Sequence, residues 1–168
     1  MSLDRIWNGW RSQYVNQAGN RLPDQSGSVF SQILASGLSD IEAFIVHRGT
    51  SVFAILNAFP YTSGHLLVLP YREVANLEHL TEQESSELWT TVTESVAAVR
   101  SAYQPGGINV GINMGTAAGG SISEHLHVHV VPRWSGDGNF MTAVANTRTL
   151  PEPLADSAAK LRNAWPRS

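Results

Sequence analysis

One long helix is the clearest element that the pattern of hydrophobic and polar positions predicts. Apolar side chains recur from residue 88 to residue 103 at steps of four, four, three and four, which places them on one helical face. Thr81 and Glu84 are spaced as a capping box before this face begins. A proline and two glycines at 105–107 end the helix, because both residue types interrupt helical structure.

Two shorter helices are predicted on either side of this long one. Residues 28–38 carry apolar side chains at helical spacing, and Gly37 is placed to close that helix at its C-terminal end. Residues 152–165 carry a second apolar stripe. Asp156 and Lys160 stand four residues apart in this stripe, which predicts an ion pair along the helix.

Short apolar runs bounded by turn residues predict the β-strands. Residues 48–51 are expected to join the first two runs as a hairpin. The fourth run alternates strictly between apolar and polar residues, which predicts a half-buried strand. The predicted strands cover residues 41–47, 52–56, 65–69, 108–114 and 125–131.

The last of these runs contains an unusual group of histidines. His125, His127 and His129 alternate with aliphatic residues. Because side chains of a strand point alternately to opposite faces, the imidazoles are expected to share one face while the aliphatic residues enter the core. The run is predicted to pair with the strand at 108–114, and an antiparallel pairing would bring Asn113 to the histidine face.

Composition restricts the class of protein. The 168 residues fit one domain, so 1–168 is interpreted as a single domain that begins with an N-terminal arm at 1–27. The formal net charge is −3, so the chain lacks the excess of basic residues expected of a protein that binds nucleic acid. Without cysteine, the chain can form neither a disulfide nor a cysteine-based zinc site. It also lacks a signal-peptide pattern and a long apolar run, which predicts a cytoplasmic protein that binds no membrane.

The grouped imidazoles favour phosphate chemistry. An imidazole titrates near neutral pH and can serve as a nucleophile, a hydrogen-bond donor or a proton carrier. Glycine lets backbone amides approach an anion closely, and serine hydroxyls add donors. The residues expected to contact phosphate in the loop before the strand are Gly119, Gly120, Ser121 and Ser123. A zinc site with His65 as a third ligand is the alternative, whereas His47 and His79 are interpreted as ordinary hydrogen-bonded polar groups.

Two blocks of the sequence are similar to one known family. The first runs from residue 109 to residue 140 and contains His-x-His-x-His followed by Pro132-Arg133-Trp134. The second covers residues 53–70. Both blocks resemble the histidine triad superfamily of nucleotide hydrolases and transferases. The first block, which includes Gly136-Asp137-Gly138-Asn139-Phe140, is most similar to the branch that contains diadenosine tetraphosphate phosphorylases.

This resemblance implies both a fold and a set of site residues. The fold would be α+β, with a catalytic core over residues 41–140 built on a five-stranded antiparallel sheet, one long helix and shorter helices. The sheet would continue across a homodimer. His127, the middle histidine of the motif, would be the nucleophile. A nucleoside would lie near Asn57, and His65 would support His125.

The chain departs from the family pattern in two places. Many relatives carry a Cys-x-x-Cys zinc pair where this chain has serine at positions 28 and 31. Many hydrolases of the family carry a glutamine before the triad, where this chain has Ser121 and Ser123. We therefore expect no protein-bound metal or cofactor, and any Mg²⁺ would be carried by the substrate.

The expected reaction is nucleotidyl transfer through a nucleotidyl-histidine. Neutral His127 would attack the α-phosphorus while its other ring nitrogen donates to a backbone carbonyl, and His129 would donate to the phosphate or the leaving group. Inorganic phosphate as the second reactant would convert diadenosine tetraphosphate into ATP and ADP. Hydrolysis of dinucleoside polyphosphates or nucleoside phosphoramidates, and a non-catalytic nucleotide-binding signalling role, stay open as alternatives. Trp134 is interpreted either as stacking on a nucleobase or as a packing residue.

Overall fold

The structure is a computed structural model that describes residues 27–118, 122–138 and 152–167. The predicted arm at 1–27 therefore lies outside the described residues except for Gly27, as do Gly119, Gly120 and Ser121 of the glycine-rich loop. The helices are α1 (Val29–Ala35), α2 (Glu82–Tyr103) and α3 (Leu154–Ala164), with short 3₁₀ turns at Leu77–His79 and Thr116–Ala118. The strands are β1 (Ile45–Arg48), β2 (Val52–Leu56), β3 (Leu66–Pro70), β4 (Gly107–Ile112) and β5 (Val128–Arg133).

The five strands form one sheet in the order β1-β2-β3-β5-β4, and each neighbouring pair is antiparallel. The α+β class and the five-stranded antiparallel sheet are thus confirmed. None of the described helices combines the length and the apolar character that a bilayer crossing requires.

Helices cover both faces of the central strands, which explains why β2 and β3 are apolar without interruption and buried throughout. On one face, α2 and α3 pack on a large cluster that includes Leu88, Val99 and Leu161. On the other face, Phe30 of α1 packs on a smaller cluster with Phe53. The histidine segment lies between these two layers, so its two faces meet different environments.

The start of α2 has the predicted capping box. The Thr81 hydroxyl accepts a hydrogen bond from the Glu84 amide at 3.2 Å, and the Glu84 carboxylate accepts one from the Thr81 amide at 2.8 Å. Arg72, which follows β3, donates to both oxygens of the Glu84 carboxylate, at 2.9 and 2.6 Å. This pairing lowers the pKa of Glu84 to about 2 and ties the helix to the end of β3.

The predicted strand at 41–47 is wrong at its start, because β1 begins at Ile45. The preceding residues form a turn in which the Ile45 amide donates to the Asp40 carbonyl at 2.9 Å. Phe44 adopts a φ of 57°, a left-handed conformation that ends any extended run. The histidine strand also begins later than predicted, at Val128, since the Leu126 amide donates to the Val74 carbonyl outside the ladder.

The predicted Asp156–Lys160 ion pair is wrong. Lys160 pairs instead with Glu152, which precedes α3. The Glu152 carboxylate also accepts from the hydroxyls of Tyr103, at 2.8 Å, and Ser157, at 2.9 Å. Glu152 is less exposed than Asp156, and the hydrogen bonds from Tyr103 and Ser157 hold its carboxylate in place beside the ammonium group of Lys160.

Strand β4 lies at an edge of the sheet and is more exposed than the half-buried strand predicted from its alternation. Within the described residues it pairs only with β5, so its outer backbone edge has no neighbouring strand. Val110 is 44% exposed, and Met114, just beyond the strand, is equally exposed. An apolar open edge of this kind is a surface on which another strand can pair.

Candidate active site

The segment that leads into β5 places the histidine motif along one face of the sheet. His125 is fully buried, His127 is 6% exposed and His129 is half-buried. The rings of His127 and His129 lie 4.9 Å apart between centroids. The intervening aliphatic side chains enter the core on the opposite face: Leu126, Val128 and Val130. The predicted alternation between two faces is confirmed.

The ring of His127 is held in one tautomer by the backbone. Its Nδ1 lies 2.7 Å from the carbonyl oxygen of His125. Because a carbonyl only accepts hydrogen bonds, Nδ1 carries the proton and Nε2 keeps its lone pair, which is the state an attacking imidazole needs. Burial lowers the pKa of His127, which favours the neutral ring at pH 7.

A second chain of hydrogen bonds fixes the tautomer of His129. The Tyr61 amide donates to Nδ1 of His65 at 3.1 Å, so the proton of the neutral His65 ring is on Nε2. That Nε2–H donates to Nδ1 of His129 at 2.9 Å. The remaining nitrogen of His129, Nε2, therefore carries a proton. The Asn113 amide group lies 3.5 Å away and can accept this proton only through its oxygen, so the tautomer requires Oδ1 of Asn113 to face His129.

His129 is thus a neutral hydrogen-bond donor. Burial, with a smaller contribution from the nearby His127, lowers the pKa of His129 to about 4. At pH 7 the ring is uncharged. The hydrogen bond from His65 to Nδ1 keeps the ring proton of His129 on Nε2 and fixes the direction of that N–H group. An anionic oxygen placed beside this nitrogen would receive a hydrogen bond from a preorganised donor.

A cavity of about 490 Å³ adjoins this donor. His129 and Asn113 line one side of it, and Tyr61 and Arg133 are among its other lining residues. Arg133 is paired with Asp137 at 2.6 Å, so its charge is largely neutralised. Of the three motif histidines, His129 is the one named in the lining of this cavity, which is large enough for a polar ligand of several heavy atoms.

Comparison of the sequence with known proteins identifies the family to which the chain belongs. Residues 39–136 match the family model described as the HIT domain. The AP-4-A phosphorylase of Mycobacterium tuberculosis is 44% identical to this chain over 98% of the chain and 86% of its own length. The chain belongs to the HIT family.

More distant HIT proteins share parts of the sequence and the fold. The asymmetrical bis(5'-nucleosyl)-tetraphosphatase of Schizosaccharomyces pombe is 36% identical to this chain, over 55% of this chain and 50% of the length of that protein. The crystal structure of a zinc-bound histidine triad family protein from Mycobacterium smegmatis is 28% identical and superposes with a TM-score of 0.66, over 82% of this chain and 91% of that one. The fold of this HIT chain is therefore shared with solved members of the family.

The expectation that His65 supports His125 is wrong, because His65 contacts His129. The antiparallel register explains the difference. Leu67 stands opposite His129, and His65, two residues away on the same face, is its diagonal neighbour. His125 lies farther along, beside the end of β3, where its Nε2–H donates to the carbonyl of Pro70 at 2.8 Å.

The structure brings Asn57 and Asn113 to opposite ends of the His65–His129 pair. The amide group of Asn57 lies 3.4 Å from Nδ1 of His65, while its side-chain oxygen accepts from the Phe59 amide at 2.8 Å. The predicted approach of Asn113 to the histidine face is confirmed. The contact of a nucleoside with Asn57 stays a prediction.

Ser123 and Trp134 flank the histidine segment. Ser123 is half-buried two residues before His125, and its contact with phosphate stays a prediction. Trp134, just after β5, meets the ring of Tyr103 edge-on at 6.2 Å between centroids. This contact supports the packing interpretation of Trp134.

A zinc ion fits this chain poorly. The described residues contain no group of three or more histidine, cysteine or acidic side chains arranged to hold a metal. Where many relatives have the cysteine pair, the hydroxyls of Ser28 and Ser31 hydrogen-bond to His125 and Glu73, at 2.6 and 2.7 Å. A neutral hydroxyl is a weak zinc ligand compared with a thiolate.

The free energy of unfolding is expected to fall as the pH is lowered from about 6.5 toward 4. Burial lowers the pKa of His125, His127 and His129 from the ordinary value of 6.5, to about 4 for His129. Between these values the unfolded chain binds more protons than the folded chain, so protonation favours unfolding. Urea titrations at pH 7.5, 6.0 and 5.0 measure the effect.

The window between pH 6.5 and 5 isolates the histidines, because the carboxylates with lowered pKa, such as Glu84 and Asp137, lose their stabilising effect only at lower pH. A variant with His127→Asn should show a shallower decline over this window. Equal stability at pH 7.5 and 5.0 would contradict the assignment of neutral buried rings.

Proposed function

We propose that this HIT protein cleaves dinucleoside polyphosphates by nucleotidyl transfer to His127, with phosphorolysis of diadenosine tetraphosphate to ATP and ADP as its main reaction. The observation that carries the proposal is the pair of fixed tautomers. His127 presents a lone pair at Nε2, and His129 presents a proton at Nε2 in the adjoining position. The 44% identity to a protein named AP-4-A phosphorylase supports the choice of substrate.

In the first step, Nε2 of His127 attacks the α-phosphorus of the substrate. The bond from that phosphorus to the bridging oxygen breaks, and ATP leaves as AMP becomes bonded to His127 through a P–N bond. His129 would donate a hydrogen bond to the phosphoryl or bridging oxygen as negative charge develops there. Backbone amides at Gly119 and Gly120, with Ser121, are proposed to hold the α-phosphate.

In the second step, an oxygen of inorganic phosphate attacks the same phosphorus. The P–N bond breaks, ADP leaves, and His127 returns to its neutral state with a lone pair at Nε2. The two in-line displacements take place at the same phosphorus, and the covalent intermediate on His127 divides a difficult reaction into two easier ones. No protein-bound cofactor takes part, and any Mg²⁺ arrives with the polyphosphate.

Hydrolysis is the second candidate, since water can replace phosphate in the second step. The 36% identity to a protein named bis(5'-nucleosyl)-tetraphosphatase favours it over the branch with phosphoramidate substrates. A nucleotide-binding signalling role without turnover is less well supported, because binding alone does not need an imidazole fixed with its Nε2 lone pair available.

Product analysis with and without orthophosphate tests the proposal. In the presence of phosphate, diadenosine tetraphosphate is expected to yield ATP and ADP in equal amounts, because phosphate resolves the nucleotidyl-histidine. In phosphate-free buffer, turnover should stop after formation of one ATP per site. Anion-exchange chromatography of a time course measures all three adenine nucleotides.

The same experiment in water enriched in ¹⁸O separates the candidates. Steady release of AMP containing ¹⁸O without phosphate would replace phosphorolysis by hydrolysis. Intact mass measurement after a quench that avoids acid should show one added AMP when phosphate is withheld. A protein that binds the nucleotide but neither turns it over nor gains this mass would have the non-catalytic role.

The open edge of β4 leads to a proposal about assembly. Two copies could pair there and extend the sheet across a homodimer, which would cover the exposed Val110 and Met114. We propose this homodimer as the working form and the cytoplasm as its location.

A further inference from the structure

The first residue before α1 connects that helix to the histidine motif. Ser28 is the N-cap of α1, and its hydroxyl oxygen accepts from the Ser31 amide at 3.2 Å. The same oxygen lies 2.6 Å from Nδ1 of His125. Both side chains are buried, with Ser28 1% exposed. One hydroxyl group therefore both caps α1 and contacts a histidine of the motif.

Ser28, Ser31, Glu73 and His125 form a hydrogen-bonded cluster. The donor and the acceptor of each hydrogen bond in this cluster follow from the neighbouring groups. Since Nε2 of His125 faces the Pro70 carbonyl at 2.8 Å, that nitrogen carries the proton and Nδ1 accepts. The hydroxyl proton of Ser28 is consequently directed to His125. A neutral His125 is further favoured by burial, which lowers its pKa.

Glu73 anchors the other side of this cluster. One oxygen of its carboxylate accepts from the Ser28 amide at 2.7 Å and from the Ser31 hydroxyl at 2.7 Å. These contacts lower the pKa of Glu73, so it is ionised at pH 7. The Ser31 hydroxyl is thereby turned toward Glu73, which leaves the Ser28 hydroxyl to His125.

The cluster acts on the nucleophile through two routes. The carbonyl of His125 accepts the Nδ1–H of His127 at 2.7 Å, so the position of residue 125 sets the tautomer of residue 127. Phe30, in the first turn of α1, contacts both imidazoles at 5.5 Å between ring centroids. A shift of the start of α1 would be transmitted to His127 by polar and by apolar contact.

We propose that Ser28, held in place by Glu73, is a positioning residue that orients His125 and thereby the nucleophile His127. This inference rests on the proposed function in so far as it makes His127 the nucleophile. The structural part, which is that the Ser28 hydroxyl holds the rings of His125 and His127 in their orientation, is independent of any substrate. A misplaced nucleophile loses rate even where binding is intact, because attack requires close alignment with the phosphorus.

The test uses Ser28→Gly, because glycine is itself an acceptable N-cap and removes the hydroxyl at little cost to the helix. We expect kcat for diadenosine tetraphosphate to fall about 10-fold to 100-fold, with KM changed less than threefold. Ser28→Thr, which restores a hydroxyl, should recover part of the loss. Ser36→Ala is the matched control, since it removes a serine hydroxyl from the exposed other end of the same helix.

Ring ¹⁵N spectra of the histidines give a readout that a structural cap would not move. The original protein should show His125 protonated at Nε2 and His127 protonated at Nδ1. Ser28→Gly removes the donor to Nδ1 of His125, so the ¹⁵N shift of that nitrogen should move toward the value of an imine nitrogen without a hydrogen bond, with a smaller change at Nδ1 of His127. Unchanged ring states and an unchanged kcat would overturn the proposal. A loss of activity that only follows a lowered Tm, with ring states intact, would also overturn it.

These outcomes remain distinct from failure of the proposed function. If the protein does not cleave dinucleoside polyphosphates at all, the ¹⁵N comparison between the original protein and Ser28→Gly still decides whether Ser28 positions the rings. If cleavage occurs but Ser28→Gly is fully active with unchanged ring states, the function stands and the positioning role falls.

Discussion

Replacing His127 by asparagine is expected to lower turnover of diadenosine tetraphosphate by at least ~10³-fold, while nucleotide affinity changes little. Asparagine can still donate to the His125 carbonyl from a similar position, but it has no nucleophilic nitrogen with which to form a P–N bond. Binding depends on the surrounding phosphate and nucleoside contacts, which the substitution leaves in place. Steady-state kcat, together with calorimetric titration of a non-cleavable analogue, measures both quantities.

His79→Asn supplies the matched control for this substitution. His79 is exposed and lies in the 3₁₀ turn before α2, where the described contacts use its backbone. This variant should keep normal kcat and should still acquire one AMP when phosphate is withheld. His127→Asn should acquire none. A His127→Asn protein with near-normal turnover would remove the covalent mechanism, whatever its affinity for nucleotide.

Local sequence pattern predicted the elements whose side chains repeat with a fixed period. Strand β2 was predicted at its observed bounds, and the alternation around His127 correctly separated a polar face from the core. The capping box of α2 was predicted because its two partners are three residues apart. The start of β1 was missed because residues 41–47 have the apolar character of a strand. Phe44 is a large apolar residue, and nothing in the sequence indicates that it adopts a left-handed conformation.

The contacts that set the ring tautomers could not be predicted in the same way. Ser28 and His125 are 97 positions apart in the sequence, and Glu73 lies far from both. Only the tertiary fold brings them together. The serine could be recognised as a helix cap, because Ser28 precedes an apolar helical pattern, yet nothing local indicates that its hydroxyl also bonds to a histidine.

The partner of His65 was misassigned for a related reason. The assignment came from the resemblance to the family, and neither a motif nor spacing along the chain gives the register between strands. A shift in register exchanges one histidine for another. The observed pairing of Leu67 with His129 decides the matter and turns His65 into part of the donor arrangement. This changes the expected effect of substitutions at both positions.

His129→Asn is expected to lower kcat by ~10²–10³-fold, because it removes a donor directed at the charge that develops on the phosphoryl or leaving oxygen. The effect should be nearly independent of pH between 6 and 8, since His129 acts as a neutral donor with its pKa lowered to about 4. If His129 acted as an imidazolium, activity of the original protein would decline steeply over that range. Pre-steady-state formation of the nucleotidyl-histidine measures the step concerned.

His65→Asn should give a smaller loss, about 10-fold, because it leaves the donor in place and removes only the contact that fixes its tautomer. The two substitutions should not be additive, since His65 is expected to act only through His129. In a double-mutant cycle, His65→Asn added to His129→Asn should therefore cost almost nothing further. Full additivity would show that His65 contributes separately, for example through its contact with Asn57, and would contradict the directed-donor interpretation of the pair.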